Sequence, residues 1–513
     1  MKKLLSLSLA LLLVGGIAFA GGSSEKSTTV SGGTASDGLP AHKAELIIGS
    51  PADINNLDLQ AQQDQINNIV LKSTHQTLVF FTNEGTFEPG LATSWEFTDD
   101  THIRFNLDPR AKFSDGSPLT AEDVKFTMDM AMTSYVANNL AGLVQTNIID
   151  DHTFEMEIET YNNEFVQTLA SVPISILSKK AYESGMKQPY LVGSGPYMYD
   201  NWVEGEYVRL KKNPNYWRED VGISDFITFK PILEDSSRVI ALQTGEIDVC
   251  INPPINELDF LERDKNVTVF EKPGSRLFYF AFNVDKAPWD NQKLRQAVAC
   301  AIDRDSVLEV AVYGKGTPQN TILNRGLWGF YDDMEGFPYD VARAKKLMAE
   351  AGYPNGGIKT SLLIANSSPY INIAQVIQAN LKEIGIDVVI QTVDDATLKA
   401  NCKSGTQDLF LWRWNEDSKV DFVYRDLFYT GSGSNYHQYS DKHADELIDL
   451  VATEKDQDKR MDYGIELQEY LVEACPQVPL YIANLVIAYN KNLRGEYLFG
   501  GGNHDWSHAY IAK

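Results

Sequence analysis

The sequence predicts an α/β protein of two or three domains that is exported from the cytoplasm. Three observations predict it: a leader-like N-terminus, a body too long for a single core, and alternating helical and strand patterning along that body. Lys2 and Lys3 supply a positive start, residues 4–17 form a short apolar stretch, and Ala18-Phe19-Ala20 is a small-x-small cleavage site. Residues 1–20 are therefore expected to be a signal peptide cleaved after Ala20. No Cys sits at or just after the cleavage point, so no lipid anchor is expected. Residues 21–43 begin with a run of Gly, Ser and Thr that has too little apolar surface to offset ordering entropy, and they read as a flexible linker. The roughly 470 residues that remain exceed the usual size of one hydrophobic core.

Along the body, residues 45–50 read as a buried strand ending at a Gly-Ser-Pro turn, and 66–79 carry helical spacing. Trp95 and Phe97, then Ile103, Phe105 and Leu107, alternate as a strand pair turning at Asp99-Asp100. Thr120-Ala121-Glu122-Asp123 is a capping box opening a helix over 124–132. Phe154, Met156 and Ile158 mark a half-buried strand. In the second half, 293–312 read as one amphipathic helix, and Asp340 caps another that Gly352 stops. A helix over 373–384, closed by Gly385, leads into a strand at 386–393. Residues 445–474 read as helix and 478–489 as strand.

The formal charge of −25 becomes −27 once Lys2 and Lys3 are gone (43 basic against 70 acidic residues), a field that disfavours nucleic acid and anionic membranes. Cys250, Cys300, Cys402 and Cys475 lie far apart. They are either buried thiols or partners in up to two disulfides. No G-x-S-x-G, Walker A, H-E-x-x-H or Cys–His signature is present, so neither a catalytic residue, a metal site nor a cofactor is expected. His504 and His508, four apart near Trp506, read as structural or surface residues.

Identity is carried by an ordered series of motifs. Glu88-Pro89-Gly90-Leu91-Ala92-Thr93-Ser94-Trp95 is followed by Lys112-Phe113-Ser114-Asp115-Gly116-Ser117-Pro118-Leu119-Thr120-Ala121-Glu122-Asp123-Val124. Gly193-Ser194-Gly195-Pro196-Tyr197 and Asn213-Pro214-Asn215-Tyr216-Trp217 come next, then Leu242-Gln243-Thr244-Gly245-Glu246-Ile247-Asp248. Leu294-Arg295-Gln296-Ala297-Val298 and Ala301-Ile302-Asp303-Arg304 complete the run. From about residue 45 to 490 the chain resembles the family 5 bacterial extracellular solute-binding proteins, the oligopeptide- and dipeptide-binding group.

That resemblance implies a two-lobed type II periplasmic-binding-protein fold with an extra domain inserted in the first lobe. It implies a core of lobe I at 44–84, 193–272 and 485–513, an inserted domain at 85–192, and lobe II at 273–484. It also implies a periplasmic monomer that captures peptides between closing lobes for the permease subunits of an ABC importer, without a chemical step. In peptide-binding relatives a Trp followed shortly by Asp meets the ligand's ammonium group. Trp412 and Trp414 with Glu416 or Asp417 stand in that place, although Lys419-Val420-Asp421 replaces the usual Asp-Pro. A carboxylate beside aromatic faces suits an ammonium group; the other reading is a packed strand face followed by a solvated turn. Asp53 and Asn55, after the first strand, are further candidates. Arg276 reads either as a carboxylate partner or as a hinge ion pair, and Tyr436, with His437 and Tyr439, as cleft lining or surface loop. An oligosaccharide, a nickel chelate or another small solute is the alternative cargo; a hydrolase or a surface adhesin ranks below these.

Overall fold

The computed structural model describes residues 41–61, 64–82, 86–218, 221–324, 327–331, 334–415, 420–495 and 504–513. Its main feature is one mixed sheet whose strands run, in spatial order, Ile386–Val393, Ile358–Ala365, Leu409–Asn415, Val267–Phe282, Gln477–Asn490, Val249–Ile251, Glu45–Ser50, Phe226–Pro231, Tyr207–Lys212 and Tyr197–Val203. The short strand Gly316–Pro318 joins the edge of Gln477–Asn490.

Two long antiparallel strands, Val267–Phe282 and Gln477–Asn490, carry the sheet from one half to the other. Residues 487–489 of the latter pair with Val249–Ile251 in the first half-sheet, whereas residues 276–282 of the former pair with Leu409–Asn415 in the second. Where the halves meet, the register slips: Pro273 faces Asn484 but Arg276 faces Ala483, leaving Gly274 and Ser275 as a bulge. A bulge bends and twists the strand that carries it, so the half-sheets diverge there.

Each half has its own apolar core. Leu46, Ile48, Ile69, Leu210, Phe229 and Ile487 pack under the first half-sheet. Phe280, Phe282, Val298, Leu362, Ile377 and Leu409 pack under the second. A third core, around Phe105, Phe113, Met128 and Phe154, lies under a separate four-stranded antiparallel sheet ordered Ala92–Phe97, His102–Leu107, Thr153–Ile158, Leu143–Asp150.

The motifs that identify the sequence are structural. Thr120 donates its backbone N–H to Asp123 Oδ2 at 2.9 Å, the capping box of helix Ala121–Ala131. Ser114 N donates to Gly193 O, Gly195 N donates to Thr74 O, and the Asn213 and Asn215 amides donate to Gly195 O and Ser114 O, tying three motifs into one knot. A Cβ on Gly193 would lie 2.0 Å from the Thr74 carbonyl oxygen, so only glycine fits. Arg295 donates to the carbonyls of Trp289, Ala474 and Cys475, and Arg304 to those of Pro479 and Phe337.

Several boundaries differ from the sequence reading. The helix expected over 66–79 is Gln65–Thr74; it stops because residues after His75 become the strand Val79–Phe81, paired with Phe87–Pro89. The helix expected over 293–312 is two, Gln292–Ala301 and Arg304–Val312, because Asp303 caps a new start by accepting from Ser306 N. Likewise 445–474 is Lys442–Thr453 and Gln457–Ala474, with Asp456 as the second cap. His42 and Lys43, assigned to the linker, belong to the fold: Lys43 N donates to Ile511 O and its ammonium sits 2.8 Å from buried Asp248. All four cysteines are buried and unbridged. The signal peptide and the linker up to residue 40 lie outside the described residues.

Candidate functional site

The bulge at Gly274 and Ser275 opens a small cavity of about 60 Å³ between the half-sheets, lined by Gln65, Ile251 and Asn252 from one side and by Arg276 and Asn415 from the other. Arg276 also lines a larger open cleft of about 710 Å³, together with Phe278, Asn366, Tyr370, Asp395 and Arg413. A cleft of the larger volume suits a small-molecule or short-peptide ligand.

Strand pairing explains who faces the cleft. Arg276 opposes Asn415, and Phe278 opposes Arg413. Side chains two apart share a face, so Arg276, Phe278 and Arg413 stand together on one face of two adjacent strands. Phe278 stacks on Tyr481 at 4.9 Å between ring centroids and tilts against Tyr370 at 5.6 Å, giving the site an apolar floor.

The two guanidiniums are held differently. Arg413 donates through Nη1 to the Tyr370 hydroxyl oxygen at 2.6 Å and through Nη2 to Asp395 Oδ2 at 3.2 Å. Arg276 donates through Nε to Asn415 Oδ1 at 2.9 Å and through Nη2 to Gln65 Oε1 at 3.3 Å, both neutral acceptors. Gln65 opens a helix packed with the first half-sheet, so Arg276 bridges the junction. Burial first, and the neighbouring Arg413 second, hold the Arg276 guanidinium below its ordinary pKa.

Of the ligand-binding candidates read from the sequence, Arg276 alone among the described residues lines these cavities; His504, read as a structural or surface residue, also borders the small one. Trp412 and Trp414 alternate with Arg413, opposing Tyr279 and Leu277, and so turn to the other face. There Trp412 meets Tyr436 edge-on at 5.4 Å, and Trp414 lies against Phe422 at 6.2 Å. Tyr436 is 3 % exposed, in the core rather than on a surface loop. His437 is buried among Tyr279, Phe410 and Phe428, and burial pushes its imidazole down to about 4, a packing residue. Asp53 accepts from the N–H of Ile54, and Asn55 Oδ1 accepts from the Asn67 amide; neither reaches these cavities. Glu416 and Asp417 lie outside the described residues. His504 is buried against Trp506, a structural placement. Arg413 and Tyr370 escaped sequence reasoning. The signal for Arg413 was present: in the alternating stretch 409–415 it occupies the face opposite the two tryptophans.

The family model described as "Bacterial extracellular solute-binding proteins, family 5 Middle" matches residues 86–436. The chain belongs to this family. Among curated relatives, the glutathione-binding protein GsiB of Escherichia coli (strain K12) is 28% identical over 472 residues, 88% of this chain and 91% of that protein. Among solved structures, the periplasmic binding protein DppA of Helicobacter pylori, in complex with the peptide STSA, matches with a TM-score of 0.79 at 25% identity, covering 92% of this chain and 99% of that one. The substrate binding protein CtaP of Listeria monocytogenes gives a TM-score of 0.83 at 24% identity over 92% and 100% of the two chains, a likeness of fold. The fold of this family member is thus the type II periplasmic-binding fold. Among the described residues no helix is long and apolar enough to cross a membrane.

Proposed function

We propose that this family 5 solute-binding protein captures short peptides, or peptide-like solutes, in the cleft where its lobes meet and presents them to the permease subunits of an ABC importer. The observation that carries the proposal is the paired long strands, whose shared bulge leaves a cavity lined from both lobes beside a cleft of peptide size. Closure about such a crossing converts capture into a change of shape that a membrane partner can read. The names of the relatives support peptide cargo: GsiB is a glutathione-binding protein, and the DppA structure holds a tetrapeptide. The ligand leaves unchanged, because the role is capture and not catalysis. We read the protein as an extracytoplasmic monomer released by cleavage after Ala20, and the region 85–192, with its separate core, as a domain inserted into lobe I.

Thermal unfolding and calorimetry with alanine peptides of two to five residues, reduced glutathione and neutral oligosaccharides test this. Peptides should bind one to one and stabilise the fold by about 2.7 kcal/mol at a hundred times Kd. Mass spectrometry should recover them intact. Stabilisation by sugars alone, or hydrolysis of the peptide, refutes the proposal. N-terminal sequencing of the exported protein checks the cleavage site.

A further inference from the structure

The crossing strands are not the only join between the two halves of the molecule. Region 85–192 is fixed to the first half: Leu91 N donates to Thr77 O, Ile176 N to Gln76 O and Ser114 N to Gly193 O. It also meets the loop between helices Lys442–Thr453 and Gln457–Ala474, whose core takes in Val284 and Trp414 of the second half. At this seam Asn163 donates its backbone N–H to Ala452 O at 2.9 Å, and its amide to Ala452 O and Glu454 O at 3.1 and 2.7 Å. Asn163 Oδ1 accepts from Gln457 Nε2 at 3.2 Å. Lys455 pairs with Asp100 and lies 5.1 Å from the centre of the Tyr161 ring. Arg460 donates to Glu164 Oε1 at 2.7 Å, each side chain only 6% exposed. Each of these contacts involves a polar or charged group. Among the described residues, no apolar side chain belongs both to the core of 85–192 and to the core of the two helices. Parting an apolar interface exposes surface that water resists. Parting this one returns ions and amides to water, which satisfies them nearly as well as they satisfy one another. Such a seam suits a contact that is made and broken.

We propose that this seam is a latch between the lobes: it forms as they close, parts as they open, and holds the ligand-free chain closed between captures. This rests on the reading of 85–192 as part of lobe I and on capture by lobe closure. None of the latch residues lines either cavity, so the latch governs access to the cleft without touching the solute. Its strength sets how much of the free chain is open, and entry and escape both wait on that fraction.

Two variants of the full chain test it. Asn163→Cys with Glu454→Cys sets two thiols across the seam, while the four native cysteines are buried. Oxidised before alanine peptides of two to five residues are added, this pair should slow their uptake at least about tenfold relative to its reduced form, because entry waits on opening. Oxidised afterwards, it should retain the peptide through dialysis. The second variant, Asn163→Ala with Glu164→Gln and Lys455→Ala, removes the latch; a cooperative urea transition shows that it folds. Without ligand it should have a larger radius of gyration in small-angle X-ray scattering than the oxidised pair, and it should exchange peptide about tenfold faster than the parent. Equal scattering from the two variants overturns the latch and leaves peptide capture standing. Uptake by the oxidised pair at the parent's rate, or failure of the ligand-free pair to cross-link, overturns it too. Scattering needs no cargo: if no peptide binds the parent, peptide capture fails, while a scattering difference still upholds the latch.

Discussion

Two arginines of the molecule, Arg460 and Arg276, sit in opposite electrostatic situations. Arg460, 5% exposed, donates through Nη2 to Glu164 at 2.7 Å and through Nε to the Val451 carbonyl, and its guanidinium lies 3.8 Å from the centre of the Trp328 ring. Glu164 and Arg460 are each only 6% exposed in their side chains, and they join helix Gln457–Ala474 to the region of the separate four-stranded sheet. Asn163 strengthens that seam by donating to the carbonyls of Ala452 and Glu454. Arg276, by contrast, is half-buried with amide acceptors only, and it borders open space. A charge the protein has neutralised itself serves structure. Arg276 meets no carboxylate among the described residues and lies at the edge of the proposed capture site.

The comparison breaks most visibly if the two arginines respond alike to truncation. Glu164→Ala or Arg460→Ala strands a buried charge, and urea unfolding should show a loss of about 3–5 kcal/mol. Arg276→Ala strands nothing and should stay within about 1 kcal/mol of the parent; equal losses at both sites would sink the distinction. A double replacement, Glu164→Leu with Arg460→Met, should recover most of the loss, because an apolar pair escapes the desolvation penalty.

Acid sharpens the comparison next. Burial pushes His75 and His437 down to about 4 from an ordinary 6.5, so between those values the unfolded chain binds protons that the folded one refuses. The stability these groups contribute is present above pH 6.5 and is lost as pH falls towards 4, by about 1.4 kcal/mol per unit for each histidine. Urea midpoints measured at pH 7 and pH 5 should fall accordingly. An unchanged midpoint would show that the two imidazoles are not held neutral in the cores. The smallest effect is on affinity: Arg276→Lys keeps the charge but loses the planar fork, and peptide acids should bind roughly three- to tenfold more weakly, with stability unchanged. A lysine that binds as well as the arginine would reduce Arg276 to a point charge.

Much of the fold was legible because its signals are local. Strands 45–50 and 386–393, the hairpin turning at Asp99-Asp100, and the caps at Thr120 and Asp340 follow from spacing and capping within a few residues. The breaks at Asp303 and Asp456 were missed because apolar periodicity runs on through them; only the caps' hydrogen bonds mark the new helices. The site was less legible. Arg276 could be nominated from its strand, but Trp412 and Trp414 drew attention because aromatic residues beside acids resemble a ligand site. Their direction depended on the register against residues 276–282, which no local pattern reveals.

The sequence by itself determined the α/β class, the family and several of the elements, since these rest on periodicity, capping chemistry and an ordered series of motifs read along the chain. Tertiary structure alone decided which face of Leu409–Asn415 meets the cleft, that Tyr436 and His437 are core residues, and that Arg276 lacks a carboxylate partner among the described residues while Arg460 has one. The physical reason is that these outcomes depend on pairs far apart in the chain, Arg276 with Asn415 and Glu164 with Arg460. The energy of a charge is set by what folding brings beside it, not by what precedes and follows it.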